Sequence, residues 1–278
     1  GVTQTGQEVT ATVAENFTKG IATVNSLAQV CQADVMPIDI GIAGDMTCKG
    51  IANRKIAYGT KNFAKEPAMT RTEAEQAILT GIQLVREKQE QGYNLIITGE
   101  MGIGNTTTSS AVFSVLSQIT PELVTGKGAG LSKAGIQRKI QVIQAAIQKY
   151  QPNPEDVIDV LSKVGGLDIC GMMGAFLGGA IYRVPVLIDG FISAVAANCA
   201  VHYAPACKPF LYASHCSAEP AGKLALEALQ LHAYLECGMC LGEGTGAVIG
   251  AKLFDFALAA YTEAASFQQA QVTPYQPL

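Results

Sequence analysis

"NLIITGEMGIGNTTTSSA" (residues 94–111) runs from an apolar stretch through three glycines into a series of hydroxyls. The apolar residues are continuous rather than alternating, which predicts a strand covered on both faces. The Asn–Thr run after the glycines predicts the start of a helix. Glu100 stands where the strand ends. A packed core needs neither the acid nor the glycines, whereas a turn that holds an anion beside a carboxyl group needs both. Small residues, free backbone N–H groups and a helix start together make an anion site. Asn105, Thr106 and Thr107 can add hydrogen bonds. The turn is not a P-loop, because no Lys-Ser/Thr follows the glycines. The plain alternative is a glycine-rich turn with Asn105 as the helix cap.

The same alternation extends in both directions. Val13, Phe17, Ile21, Val24 and Leu27 fall on one helical face, and "ADVMPIDIGIAG" after them reads as a strand ending in glycines. Thr72 and Glu75 fit a capping box. They open a helix carrying Ile78, Ile82 and Val85, with Gly92 placed to stop it. Ser132 can cap a helix with Ile136, Ile140, Ile143 and Ile147 inward. "VPVLID" (184–189) and "KPFLYAS" (208–214) read as further buried strands. Leu224, Ala228, Leu231 and Leu235 mark one more helix face. Buried strands separated by helices predict an α/β domain around a parallel sheet with helices on both faces. Such sheets bind ligands beyond the carboxyl ends of their strands, where Glu100, Asp189 and Ser214 fall.

The chain has 278 residues, 49% of them apolar and 15% charged, enough for a substantial core. A net charge of -4 and the absence of Trp argue against a nucleic-acid footprint. The eight Cys form no compact framework and read as free thiols in a reducing, cytoplasmic setting. "ICGMMGAFLGGAIY" (169–182) is too short to span a bilayer. The chain opens on Gly1 rather than Met, so an upstream portion is expected, and no signal peptide is visible. "KYQPNPED" (149–156) is the best internal breakpoint, and "SFQQAQVTPYQPL" reads as a tail.

Other motifs admit two readings each. In "GKGAGLS" (126–132) and the helix after it, Lys139 reaches toward a phosphate or is a solvated surface lysine. In "LGEGTGAVIG" (241–250), Glu243 sits among glycines. Such an acid is either partly withdrawn from water, and so a better base, or exposed on a turn. "SHCSAEP" (214–220) offers Ser214 and Ser217 to a phosphate, or to ordinary capping. A Ser214/His215/Cys216 relay is disfavoured, since adjacent strand residues point to opposite sides. "CGMC" (237–240), with His215 and Cys216, lacks the usual zinc spacing.

Taken in order, "GEMGIGNTT", "VGGLDICGMMGAFLGGAIYRVPVLIDGFI", "SHCSAEP" and "LGEGTGA" resemble the signatures of the nicotinate-nucleotide–dimethylbenzimidazole phosphoribosyltransferases, and the resemblance runs from "GQEVT" to about residue 261. It implies a Rossmann-like parallel sheet with a small helical domain. Residues 1–30 would be part of that helical domain, with an upstream portion missing. Residues 31–261 would form the catalytic domain, and 262–278 a tail that can return to the small domain. The implied reaction moves phosphoribose from nicotinate mononucleotide to an aromatic lower-ligand base of cobamides, with no metal and no cofactor. By motif, Glu243 matches the catalytic base and Glu100 a second acid near the ribose. Gly102, Gly104, Asn105 and Thr106 match the nucleotide-binding loop, Lys139 lies where the family has a lysine near the phosphate, and Ser217 is counted with this phosphate site from its place at a helix start. Gln7, Met101, Ile103 and Leu241 match the acceptor pocket. A dimer is implied, as a homodimer or with a paralogue. Gly6 stands where the family usually has Pro, which leaves the acceptor open, phenols included. The rivals are a non-catalytic or partner-dependent subunit and a dinucleotide-binding oxidoreductase.

Overall fold

The computed structural model describes residues 1–276. Among the described residues there are two parallel sheets. One pairs β1 (Ile38–Asp39) with β2 (Ala52–Asn53). The other has the order β3–β4–β5: β3 (Ile96–Ile97), β4 (Val186–Ile188) and β5 (Leu211–Ala213). Ile96 pairs with Val186, Val186 with Leu211, and Ile188 with Ala213. β4 is central and wholly buried, which explains its unbroken apolar sequence. The strands are shorter than the apolar runs predicted. In "KPFLYAS" the first three residues belong instead to a 3₁₀ segment, Pro205–Phe210, since two prolines interrupt any ladder there.

Helices supply the rest. In chain order they are α1 (Glu8–Lys19), α2 (Thr23–Cys31), α3 (Arg71–Glu90), α4 (Asn105–Ser117), α5 (Pro121–Val124) and α6 (Lys133–Tyr150). There follow α7 (Val157–Val164), α8 (Leu167–Tyr182), α9 (Phe191–Tyr203), α10 (Gly222–Ala228) and α11 (Thr245–Glu263). Helices α8, α9 and α11 flank the three-stranded sheet, giving the α/β fold. α3 and α8 touch backbone to backbone. A Cβ added at Gly81 would lie 2.0 Å from the Gly171 carbonyl oxygen, and one at Gly174 would lie 2.0 Å from that of Ile78. These glycines explain how so apolar and small-residued a helix is buried along most of its length, up to the exposed Ile181.

Several local readings change. The cap of α3 is Thr70 with Glu73, two residues earlier than Thr72 with Glu75. Both pairs fit the pattern, and the chain turns at the first. The face drawn from Val13 to Leu27 is split between α1 and α2 by Gly20 at φ +71, which leaves Ile21 exposed. Ala22 and Val24 form a small separate core with Val248 of α11, against which Phe17 and Leu27 pack. The helix expected through Leu235 ends at Ala228, and Leu235 instead bridges to His215 as an extra strand-like contact. Ser132 does cap α6, accepting the Gly135 N–H. Residues 151–156 are only the loop between α6 and α7. Residues 266–276 of the expected tail are exposed, and the last two, 277–278, lie outside the described residues. Among the described residues no helix is long and apolar enough to cross a membrane.

Candidate active site

The site lies where the three strands release their carboxyl ends: Glu100 after β3, Asp189 after β4, and Ser214 to Ser217 after β5. Gly104, at φ +100, starts α4 with the left-handed turn that its lack of a Cβ permits. A cavity of about 1100 Å³ opens there, with Glu100, Met101, Gly102, Ile103, Gly104 and Asn105 on one wall. Gln7, Thr10, Asp168 and Glu243 also line it. Thr10 Oγ1 accepts the N–H of Ile103 at 3.0 Å, tying α1 to the loop.

Glu100 has a hydrogen-bonded neighbour and a repelling one. Its carboxyl accepts from the Asn105 side-chain amide, and the same amide donates to Asp168 Oδ2 at 3.0 Å. Withdrawal from water and the charge of Asp168 push the Glu100 carboxyl up to about 8. Its remaining exposure is to the cavity. Burial also raises Asp168, against hydrogen bonds from Asn105 and the Ile169 N–H. Asp168 was not among the residues read from sequence. The signal was present in "GGLD", an acid in the first turn of a helix after two glycines.

Glu243 sits opposite. Its N–H donates to the Glu100 carbonyl at 3.3 Å, and its Oε2 accepts the Val24 N–H at 3.1 Å. α2 begins after Ala22, which has no side-chain acceptor, so a carboxylate from far along the chain takes the cap. The φ of Glu243 is +62°. A non-glycine residue held there costs on the order of 1 kcal/mol or more, and persists only when its surroundings over-determine it. Glu243 is half-buried on the cavity wall, the partly withdrawn position that one of its two sequence readings expected.

Lys139, Thr106 and Ser217 stand apart from the cavity wall. Lys139 is 1% exposed, and its Nζ donates to Thr106 Oγ1 at 2.8 Å and to the Gly126 carbonyl at 3.4 Å. Burial pushes its pKa down to about 8, partly offset by Glu219. It is therefore no solvated surface lysine. Ser217 Oγ accepts the Glu219 N–H at 3.3 Å and lies against Gly190. Thr106 connects this cluster to the cavity, since Asn105 and Thr107 on either side line it. The Thr107 hydroxyl is buried and has no hydrogen-bond partner. Leu241 does not join the acceptor side. The chain turns at Gly242 (φ +87), leaving Leu241 58% exposed and off the cavity wall.

Ser214 and His215 do touch, at 3.1 Å, because β5 ends at Ala213 and strand alternation no longer holds. Ser214 Oγ donates to the Ile188 carbonyl at 2.6 Å, so the His215 Nδ1–H is the donor between the two. Burial pushes His215 down, so its ring is neutral at pH 7. Cys237 and Cys240 are exposed, and no group of three or more His, Cys, Asp or Glu among the described residues is arranged to hold a metal.

The family model described as "Phosphoribosyltransferase" matches residues 1–272. The chain is 49% identical over 278 residues to the nicotinate-nucleotide–dimethylbenzimidazole phosphoribosyltransferase of Ruminiclostridium cellulolyticum, covering 100% of this chain and 79% of the relative. It is 48% identical over 277 residues to the enzyme of the same name from Acetivibrio thermocellus, with the same coverage. The solved structure of CobT from Thermus thermophilus superposes with a TM-score of 0.94 at 36% identity, covering 99% of this chain and 82% of that one.

Proposed function

The chain belongs to the nicotinate-nucleotide–dimethylbenzimidazole phosphoribosyltransferase family, and from that premise we propose how its own residues carry the transfer. The enzyme is a pentosyltransferase. It moves phosphoribose from nicotinate mononucleotide to dimethylbenzimidazole or a related aromatic base, giving an α-ribotide and nicotinate. One observation carries the residue assignment: Glu100 and Glu243, remote in sequence, face one cavity beside the first turn of α4.

The acceptor ring lies between Gln7, Met101 and Ile103, and one ring nitrogen attacks C1′ with its lone pair. Its second ring nitrogen gives up its N–H proton to Glu243 as the new bond forms. The electrons of the old C1′–N bond return to the pyridinium ring, so nicotinate leaves without needing a proton. Glu100 sits close to the ribose. Its carboxyl, held largely protonated at pH 7, donates a hydrogen bond to the sugar or to the departing nicotinate. Gly102, Gly104 and Asn105 hold the nucleotide, and Lys139, Thr106 and Ser217 hold the phosphate.

Residues 1–30 are taken as part of a small helical domain next to the site. A dimer suits the exposed Phe256, Leu258 and Tyr261 of α11, and a reducing, cytoplasmic setting suits eight free thiols. The test incubates pure protein with nicotinate mononucleotide and a panel of benzimidazoles, purines and phenols. Free nicotinate with a new ribotide supports the transfer. Binding without turnover would leave a non-catalytic subunit.

A further inference from the structure

We propose that Asp189 is a positioning residue for this reaction: its buried carboxylate clamps the start of α11 and thereby fixes Glu243, which adjoins it, in the cavity. The proposal rests on the reading of Glu243 as the base.

Helix α11 begins at Gly244, whose φ of +89 and missing side chain leave it unable to cap its own N-terminus. The first backbone N–H groups of a helix have no partner within it. Asp189, 3% exposed at the carboxyl end of β4, supplies the acceptors from across the fold. Its Oδ2 takes the Gly244 N–H at 3.2 Å and its Oδ1 takes the Ala247 N–H at 3.0 Å. Both oxygens accept at once, and these bonds oppose the rise that burial imposes on the carboxyl.

His215 closes the other side, with Nδ1 3.8 Å from Asp189 Oδ1. The ring fits only because residue 246 is glycine. A Cβ there would lie 1.9 Å from His215 Nδ1. Glu243 is thus held on three sides. Its own N–H goes to the Glu100 carbonyl, its side chain to Val24, and the peptide that follows it to Asp189. A left-handed glutamate needs such restraint. Asp189 itself does not line the cavity, so it acts through Glu243 and not on substrate.

The test is a double-variant cycle on the full chain, with nicotinate mononucleotide and dimethylbenzimidazole. Asp189→Asn keeps the shape but turns an amide N–H₂ toward one of the two backbone donors. It is expected to lower kcat at least about tenfold while KM for nicotinate mononucleotide moves less than about threefold. On a Glu243→Gln background the same change is expected to cost less than about threefold, because the residue it positions is already lost. Equal losses on both backgrounds would overturn the proposal, since a general loosening is additive. Wild-type kcat in Asp189→Asn beside a crippled Glu243→Gln overturns this proposal alone. Full turnover in Glu243→Gln overturns the reading of the base, and the proposal with it. If Asp189→Asn does not fold, Asp189→Ser enters the same cycle, and failure of both to fold assigns Asp189 to stability and also overturns it.

Discussion

Replacing Lys139 with Met should make the protein more stable and a worse enzyme. Lys139 is 1% exposed, and its pKa falls from 10.5 to about 8. Each unit corresponds to about 1.4 kcal/mol, so burying the charged amine costs the fold about 3 kcal/mol at pH 7. Met fills similar volume without the charge. The variant loses two hydrogen bonds, to Thr106 and Gly126, worth about 1 kcal/mol between them after one is discounted for its 3.4 Å length. The net gain is about 2 kcal/mol, or a rise in Tm of roughly 4–8 °C for a chain of this size. The sign with pH follows from linkage. The folded pKa lies below the unfolded one, so the penalty is complete below pH 8 and is relieved as pH rises from 8 to 10.5. Thermal unfolding of both proteins at pH 7 and 9.5 should show the advantage of Lys139→Met shrink by about 2 kcal/mol. In parallel, KM for nicotinate mononucleotide should rise steeply in the variant. In the wild type it should rise about tenfold between pH 7 and 9 as the amine loses its proton. A Lys139→Met protein that is less stable at pH 7, with a gap independent of pH, would refute the reasoning.

Two further outcomes follow from the geometry. Glu100 has a folded pKa above its unfolded value, so its stabilising contribution is present below about pH 4.5 and is lost as pH rises through about 8. Glu100→Gln should therefore raise Tm at pH 9 more than at pH 5, and also lower turnover. A Tm change equal at both pH values would contradict the assignment. Gly81→Ala puts a methyl group 2.0 Å from one backbone oxygen and 2.7 Å from the Ala175 nitrogen, so α3 and α8 must separate. The expected cost is about 3 kcal/mol in denaturant unfolding, and an unchanged midpoint would contradict the close packing.

Much of this was written in the sequence because it depends on local pattern. The glycine turn after "NLIIT", the Ser132 cap and the apolar helix at 169–182 each carry their own signal over a few residues. The family motifs pointed to Glu100 and Glu243 as candidates because each is embedded in a long, distinctive string, whereas Lys139 lies outside those strings. What escaped depends on distance. Asp168 was not singled out and matters because Asn105 reaches it, while Asp189 was placed at a strand end without its bonds to α11, which exist only because that helix returns to β4. Neither contact leaves a spacing in the chain. Leu241 was misplaced for the opposite reason: its motif is right, but the left-handed turn at Gly242 sends the side chain outward. The split between α1 and α2 turned on Gly20, a single residue whose positive φ breaks a continuous apolar face.

The central claim is that Glu243 takes the proton released as the aromatic base attacks the ribose. Glu243→Gln keeps the size of the side chain and an oxygen for the Val24 N–H. Nicotinate release by this variant, measured with saturating dimethylbenzimidazole, should fall at least about tenfold, with the fold intact and nicotinate mononucleotide still bound. Release at the wild-type rate would contradict it.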